Sequence, residues 1–386
     1  MDRARLLDLT RLVSRLGRGP MTGVDRVEWA YLQRLLTSPA PVWGLVRSKA
    51  GFVLLDRTGV AGLSALVLGD WALPQADLLS RLTNRHDPLR ARAETAVRQL
   101  AVARAPRLKR LLRRLPAGTG YLNVGHAHLT DRSLRALHAA GLHIAVLVHD
   151  TIPLDYPQFT RPGVVAVFAR KLAAVSAHAD LVIHTTRDAH RRSEAHFTRL
   201  GRVPAGLVAP LGVPTPQPQP ADLPPGLDLS VPYFVTLGTI EPRKNHALLL
   251  DVWDRGPAAR LLIVGTRGWA DPALFARIAA TPGVEVWSGL TDGAVATVLQ
   301  NAQALLAPSL AEGFGLPVIE AAALGLPVIA TDLAVTRDLL GDYAVYLDPT
   351  DSYSWLETMA AQAQHRHQRI EPPTWEAHFN AVLTLC

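Results

Sequence analysis

Residues 308–320 read Pro308-Ser-Leu-Ala-Glu-Gly-Phe-Gly-Leu-Pro-Val-Ile-Glu320. An apolar run ends at Ala307, a turn with two glycines follows, and Pro317 stands where a first helical residue belongs, with Gly325 where that helix would stop. Gly313 and Gly315 let backbone N–H groups approach a ligand closely, and a helix N-terminus adds partial positive charge, so the turn suits a diphosphate. Phe314 and Leu316 fall within the same turn. Glu320 lies about one turn inside the helix. Its charge cannot favour phosphate, but a carboxylate there can accept two hydrogen bonds from a ribose diol.

Outward from this segment, short β-branched runs alternate with Ala/Leu-rich ones. Strands are expected at 233–237, 260–264, 284–287, 304–307 and 327–330, and helices at 247–253, 272–280, 293–301 and 317–324. Strictly alternating strands and helices mean βαβ units and a parallel sheet covered on both faces, with ligands at the carboxyl ends of its strands. In the first half, the runs 121–124, 144–148 and 181–184 read as buried parallel strands. Between them, residues 203–232 are dense in proline, which fixes φ and removes backbone donors, so an extended linker is expected rather than core. The expected fold class is α/β, with two Rossmann-like doubly wound domains facing across a cleft. The domains are 1–215 and 231–386, joined by a Pro-rich linker at 216–230, and the terminal helix is a candidate to cross back to the first domain.

The charge pattern supports that division. Lys and Arg outnumber Asp and Glu by 31 to 15 in residues 1–215, whereas residues 216–386 carry 9 against 18. The basic half is expected to face something anionic. A chain of 386 residues, 48% of them hydrophobic, is too long and too apolar for a disordered tail. Its one cysteine, Cys386, excludes an intrachain disulfide and a Cys-based zinc site. No unbroken apolar stretch reads as a signal or a membrane span, so a cytoplasmic location is expected.

The 308–320 segment resembles the E-x7-E signature of retaining glycosyltransferases of family 4, which have the GT-B fold, with Glu312 and Glu320 at the required spacing. The likeness extends over 237–250, 261–265, 288–332 and 341–351, and more thinly over Met21-Thr-Gly-Val-Asp-Arg26, Asn123-Val-Gly-His126 and Val148-His-Asp-Thr-Ile-Pro153. It implies a nucleotide-sugar donor used as substrate with no separate cofactor, a glycan or lipid-linked acceptor, and a role in surface polysaccharide assembly. The stretch around 237–245 is closest to members that use GDP-mannose or a deoxyhexose donor. Carried over by residue, the resemblance places Glu320 on the ribose, Glu312 beside the transferred hexose, Lys244 on the diphosphate and Gly23 near a phosphate. His149 would contact the donor hexose, and Asp150 would orient it or meet the acceptor. Where some members have an arginine after the first glycine of the second domain, this chain has Thr239, and Arg243 is the candidate substitute. Retention in this family is described as front-face attack, so no side-chain nucleophile is required.

Plainer readings stand beside these. Glu312 could cap the helix at Pro317, and Lys244 could be solvated, although its place before a helix that Asn245 could cap favours the phosphate role. His126 and His128 form an H-x-H at a strand end without a nearby carboxylate, so no metal is assigned. The chain lacks D-x-D, a P-loop and G-x-G-x-x-G, which agrees with a metal-independent clamp. Residues 104–115, RAPRLKRLLRRL, read as a basic amphipathic helix suited to an anionic membrane surface, or as a helix with its leucines in the core. Nucleic acid is not an expected partner, because no aromatic platform accompanies the basic residues. Two other function classes remain: a sugar-nucleotide-binding subunit without transfer activity, and a basic membrane- or nucleic-acid-binding protein.

Overall fold

The computed structural model describes residues 3–19, 21, 23–257, 259–362 and 366–386. Thr22 of the Met21–Arg26 motif lies outside the described residues.

Two sheets organise the chain. The first contains β1 (Arg5–Asp8), β2 (Val42–Ser48), β3 (Gly51–Leu55), β4 (Ala103–Ala105), β5 (Gly120–Asn123), β6 (His143–Val148), β7 (Leu181–His184) and β8 (Ala205–Val208), in the order β4-β3-β2-β1-β5-β6-β7-β8. The second contains β9 (Tyr233–Leu237), β10 (Arg260–Val264), β11 (Val284–Trp287), β12 (Leu305–Ala307), β13 (Val328–Thr331) and β14 (Val345–Leu347), in the order β11-β10-β9-β12-β13-β14. Every pairing in the second sheet is parallel. In the first sheet, β2–β3 and β3–β4 are antiparallel, so the expected parallel sheet ends in an antiparallel edge. The reason is local: only Lys49 and Ala50 separate β2 from β3, enough for a hairpin and far too few for a crossover.

Strand order reverses direction between β9 and β12 in the second sheet, and between β1 and β5 in the first. Loops leaving the two strands at such a switch point diverge and open a crevice at their carboxyl ends. The loop after β9 carries Lys244 and the loop after β12 carries Glu312, so this crevice holds the residues singled out from the sequence. Central strands are buried on both faces: β5, β7 and β13 have no exposed position, which matches their apolar composition.

The proline-rich stretch 203–232 is not the uniformly extended linker expected: Ala205–Val208 form β8 beside β7, Pro220–Asp222 make a 3-10 turn, and the stretch is not outside the core. Ala209, Leu211, Val213 and Leu227 are buried and join a cluster with residues of both domains, including Leu122 and Val235. Proline removes donors but leaves neighbouring apolar side chains free to pack. Val213 N donates to Pro373 O at 2.8 Å, where the returning chain approaches the helix Trp375–Leu385. That helix packs on the first domain: Leu383 O accepts from Arg5 at 2.8 Å, and His378 Nε2 lies 2.7 Å from the Tyr31 hydroxyl.

Two other readings are corrected. Residues 104–115 are not one helix; β4 is followed by the short helix Leu108–Leu112, with Leu108, Leu111 and Leu112 buried against the sheet. The apolar face expected to meet a membrane is therefore already covered. Asn245 does not cap the next helix with its side chain; its φ is +50° and its Nδ2 donates to Pro349 O at 3.0 Å. Gly23, expected near a phosphate, is the first residue of the helix Gly23–Thr37.

Candidate active site between two strand-end crevices

A cavity of about 650 Å3 opens between the domains. From the first domain it is walled by Gly23, His149 and Asp150, and from the second by Arg243, Lys244 and Glu312. Gly313, Phe314, Gly315 and Leu316 form its floor at the turn into the helix Leu316–Ala323. Ten of the eleven residues singled out from the sequence thus line one space. The exception is Glu320, half-buried one turn further along that helix and not among the lining residues.

The helix turn has the form expected for an anion cradle. Gly315, at φ +88°, occupies the N-cap with no side chain accepting from the first turn. A nearby pair of cations faces the same space. Lys244 Nζ lies 2.6 Å from Glu312 Oε1, and Arg243 Nη1 lies 2.7 Å from Glu312 Oε2. Arg243 also donates to Ala311 O at 2.8 Å. Glu312 therefore does not cap the helix; it bridges both cations. Burial raises the cost of its charge, but Lys244 and Arg243 outweigh that and hold its carboxyl at about 2. A carboxylate so acidic does not act as a base near neutral pH. It can hold two cations in register.

The clamp extends to residues the sequence reading missed. Glu241 Oε1 accepts from Arg243 Nε at 3.0 Å, and Glu241 Oε2 accepts from Trp269 Nε1 at 3.2 Å. This contact needs the loops after β9 and β10 to touch. Gly265 and Gly268 allow it, because a Cβ on Gly265 would meet Gly238 O at 1.9 Å and one on Gly268 would meet Ile240 O at 2.5 Å. Gly238, at φ +134°, is itself overlaid by the Lys244 side chain. Glu241, Trp269 and Thr239 line the cavity, as do Phe159 and Arg161 of the first domain. The available signal was the short spacing of Glu241 from Arg243 and a glycine-flanked loop following a strand end.

On the facing wall, Asp150 Oδ1 accepts from Ile152 N at 3.0 Å, and burial raises its carboxyl above the usual range. Its Oδ2 packs directly on Gly313, where an added Cβ would be 2.7 Å away. His149 Nε2 lies 2.7 Å from Val124 O, and burial lowers its imidazole to about 4. Neutral His149 with Nε2 donating leaves Nδ1 as an acceptor. His126 and His128 adopt positive φ and are satisfied by Leu147 O at 2.8 Å and the Ser133 hydroxyl at 2.7 Å. Those contacts fit polar satisfaction.

Glu320 makes no hydrogen bond or ion pair among the described residues, and burial raises its carboxyl, partly offset by Arg26. Arg26, on the first domain, pairs with Asp292 of the second at 2.5 Å. The carboxylate beside that bridge keeps its full acceptor capacity for a diol.

Residues 231–364 match the family described as Glycosyl transferases group 1. The serotype-specific mannosyltransferase WbdA of Escherichia coli is 29% identical over 265 residues, covering 62% of this chain and 32% of WbdA. The O-antigen chain mannosyltransferase B of Escherichia coli is 29% identical over 152 residues, covering 37% of this chain and 38% of that protein. The chain thus spans about a third of the length of the curated relatives it matches. Among solved structures, Anabaena HepE in complex with UDP superposes with a TM-score of 0.56 at 14% identity, covering 93% of this chain and 89% of HepE. The two-domain architecture is the GT-B fold.

Proposed function

We infer that this chain, whose second domain belongs to the glycosyl transferases group 1 family, transfers a hexose with retention from a nucleotide-sugar to a glycan or lipid-linked acceptor. Mannose or a deoxyhexose is the proposed sugar and surface polysaccharide assembly the proposed setting, a reading supported by the mannosyltransferase names of the curated relatives. The observation that carries it is the placement of Lys244 and Arg243 beside the uncapped helix at Gly315, inside an interdomain cavity. Breaking the bond from sugar C1 to diphosphate oxygen leaves negative charge on the phosphate, and fixed cations with backbone N–H groups stabilise charge where it develops. In the proposed reaction the acceptor oxygen bonds to C1 from the same face, and its proton passes to the departing phosphate.

Glu312 holds the clamp, Glu320 takes the ribose, and His149 offers Nδ1 to a sugar hydroxyl. Asp150 meets the acceptor side. We further propose that transfer needs no metal and no separate cofactor, the two cations serving where other transferases place a divalent ion. No described helix is long and apolar enough to cross a membrane, and a cytoplasmic location belongs to this proposal. A thermal-shift panel of UDP-, GDP-, ADP- and dTDP-sugars tests the reading: one base should stabilise the chain, and EDTA should leave turnover unchanged. Stabilisation without turnover on any acceptor would favour the binding-subunit alternative, and no stabilisation by any of the four would refute the donor assignment.

A further inference from the structure

The segment following the helix Arg57–Leu68 is folded inside out. In the helix Leu78–Thr83, Ser80 is fully buried, and Asn84 just beyond it is 1% exposed. Leu78 is 71% exposed, Leu82 53% and Leu79 48%. Leu68 and Trp71, immediately upstream, are also exposed. Water-soluble helices normally turn leucine inward and serine outward. Here the polar face is fastened to the domain instead. Asp77 Oδ1 accepts from Ser80 N at 2.8 Å, Asn84 Nδ2 donates to Glu94 Oε2 at 3.1 Å, and Arg98 binds both Asp77 and the Ser80 hydroxyl. With the polar side so fixed, the leucines have nowhere to turn but outward.

The charges around this apolar face specify what covers it. Arg81 and Arg85 are exposed at its centre and edge, and Arg92 stands on the neighbouring helix. The nearby acids Asp77 and Asp87 are engaged by Arg98 and Arg18, leaving Asp70 at the rim. Exposed leucines and a tryptophan, beside Arg81, Arg85 and Arg92, which form no ion pair among the described residues, on a domain with a net charge of +16 through residue 215, complement a surface that is apolar beneath and anionic on top. We propose that the first domain docks through Leu78, Leu79, Leu82 and Trp71 on an anionic lipid bilayer. The inference concerns attachment and does not depend on transfer activity.

Co-sedimentation of the full chain with phosphatidylcholine vesicles, with and without phosphatidylglycerol, tests it. The chain should pellet only with the anionic vesicles, and raising salt should release it. The triple variant L78Q/L79Q/L82Q should lower vesicle partition about tenfold or more, with its unfolding midpoint and any nucleotide-sugar stabilisation unchanged. Should that variant misfold, R81Q/R85Q, which leaves the packed side untouched, should lower partition and flatten the salt dependence. Wild-type chain that stays in the supernatant with anionic vesicles overturns the proposal. So does a folded leucine variant that pellets as well as wild type, or a vesicle-independent dimer that the leucine substitutions abolish, which would assign the face to a second copy.

Discussion

Asp150 Oδ2 occupies the space into which a side chain at position 313 would grow: a Cβ on Gly313 would lie 2.7 Å from it. The two residues belong to different domains, and Thr185 Oγ1 spans the same contact, reaching His149 O and Gly313 O at 3.4 Å each. The glycine of the turn proposed to bind the diphosphate is therefore also where the domains touch.

Gly313→Ala is expected to lower stability by about 1–3 kcal/mol, because the half-buried Asp150 carboxylate must move to admit the methyl group. Combining it with Asp150→Ala removes the obstacle, so the double variant should be less destabilised than the two single effects added. Urea unfolding of the four proteins measures that coupling. Strict additivity would contradict the contact.

Glu312 predicts an acid-dependent term. Its folded value of about 2 lies below the ordinary 4.5, so the ionised form is stabilised by folding. That contribution is complete above pH 4.5 and is lost as pH falls toward 2, with an upper limit on the order of 3 kcal/mol. Glu312→Gln should be less stable than wild type at pH 7, and the gap should close across this window. Unfolding free energies measured from pH 7 to pH 2 check the trend.

His149 has the opposite chemistry and the same direction. Burial lowers its value from 6.5 to about 4, so the folded protein favours the neutral ring. This contribution is complete above pH 6.5 and fades as pH falls through 4. His149→Gln should lessen the loss of stability between those values, and a nuclear magnetic resonance titration of the ring should find it neutral at pH 6.

Glu320 should govern recognition of the ribose and not the clamp. Glu320→Gln removes a charge that burial disfavours, so stability should hold or rise slightly, while donor KM rises about tenfold or more. Wild type should reject a 2′-deoxy donor that the variant no longer distinguishes. Steady-state kinetics with paired ribo and deoxy donors decide this.

The second domain was legible because β9, β10, β12 and β13 are parallel and largely buried on both faces, which writes them as apolar runs such as Arg260–Val264, punctuated by glycine and proline. The acidic pair at 312 and 320 and Lys244 were readable from motif spacing. Spacing could not reveal that Glu312 faces cations rather than open space, since Arg243 meets it from 69 residues away. The first domain hid more. β1, Arg5–Asp8, carries charge at both ends yet is wholly buried, with Asp8 bound to the Tyr121 hydroxyl at 2.9 Å. Leucine periodicity in 104–115 was real, but periodicity does not say whether sheet or solvent lies opposite. The reversed helix at 78–83 makes the same point from the other side, because its orientation is set by Arg98 and Glu94 on another helix.

The central claim is that Lys244 and Arg243, held by Glu312 beside the helix at Gly315, grip a nucleotide diphosphate. Calorimetric titration of the diphosphate of the stabilising base into wild type and Lys244→Ala tests it most directly. Wild type should bind, and the variant should bind at least about thirtyfold more weakly, in keeping with losing a charge-assisted contact of about 2 kcal/mol or more, with its fold intact by circular dichroism. Equal affinity in the two proteins would contradict the account.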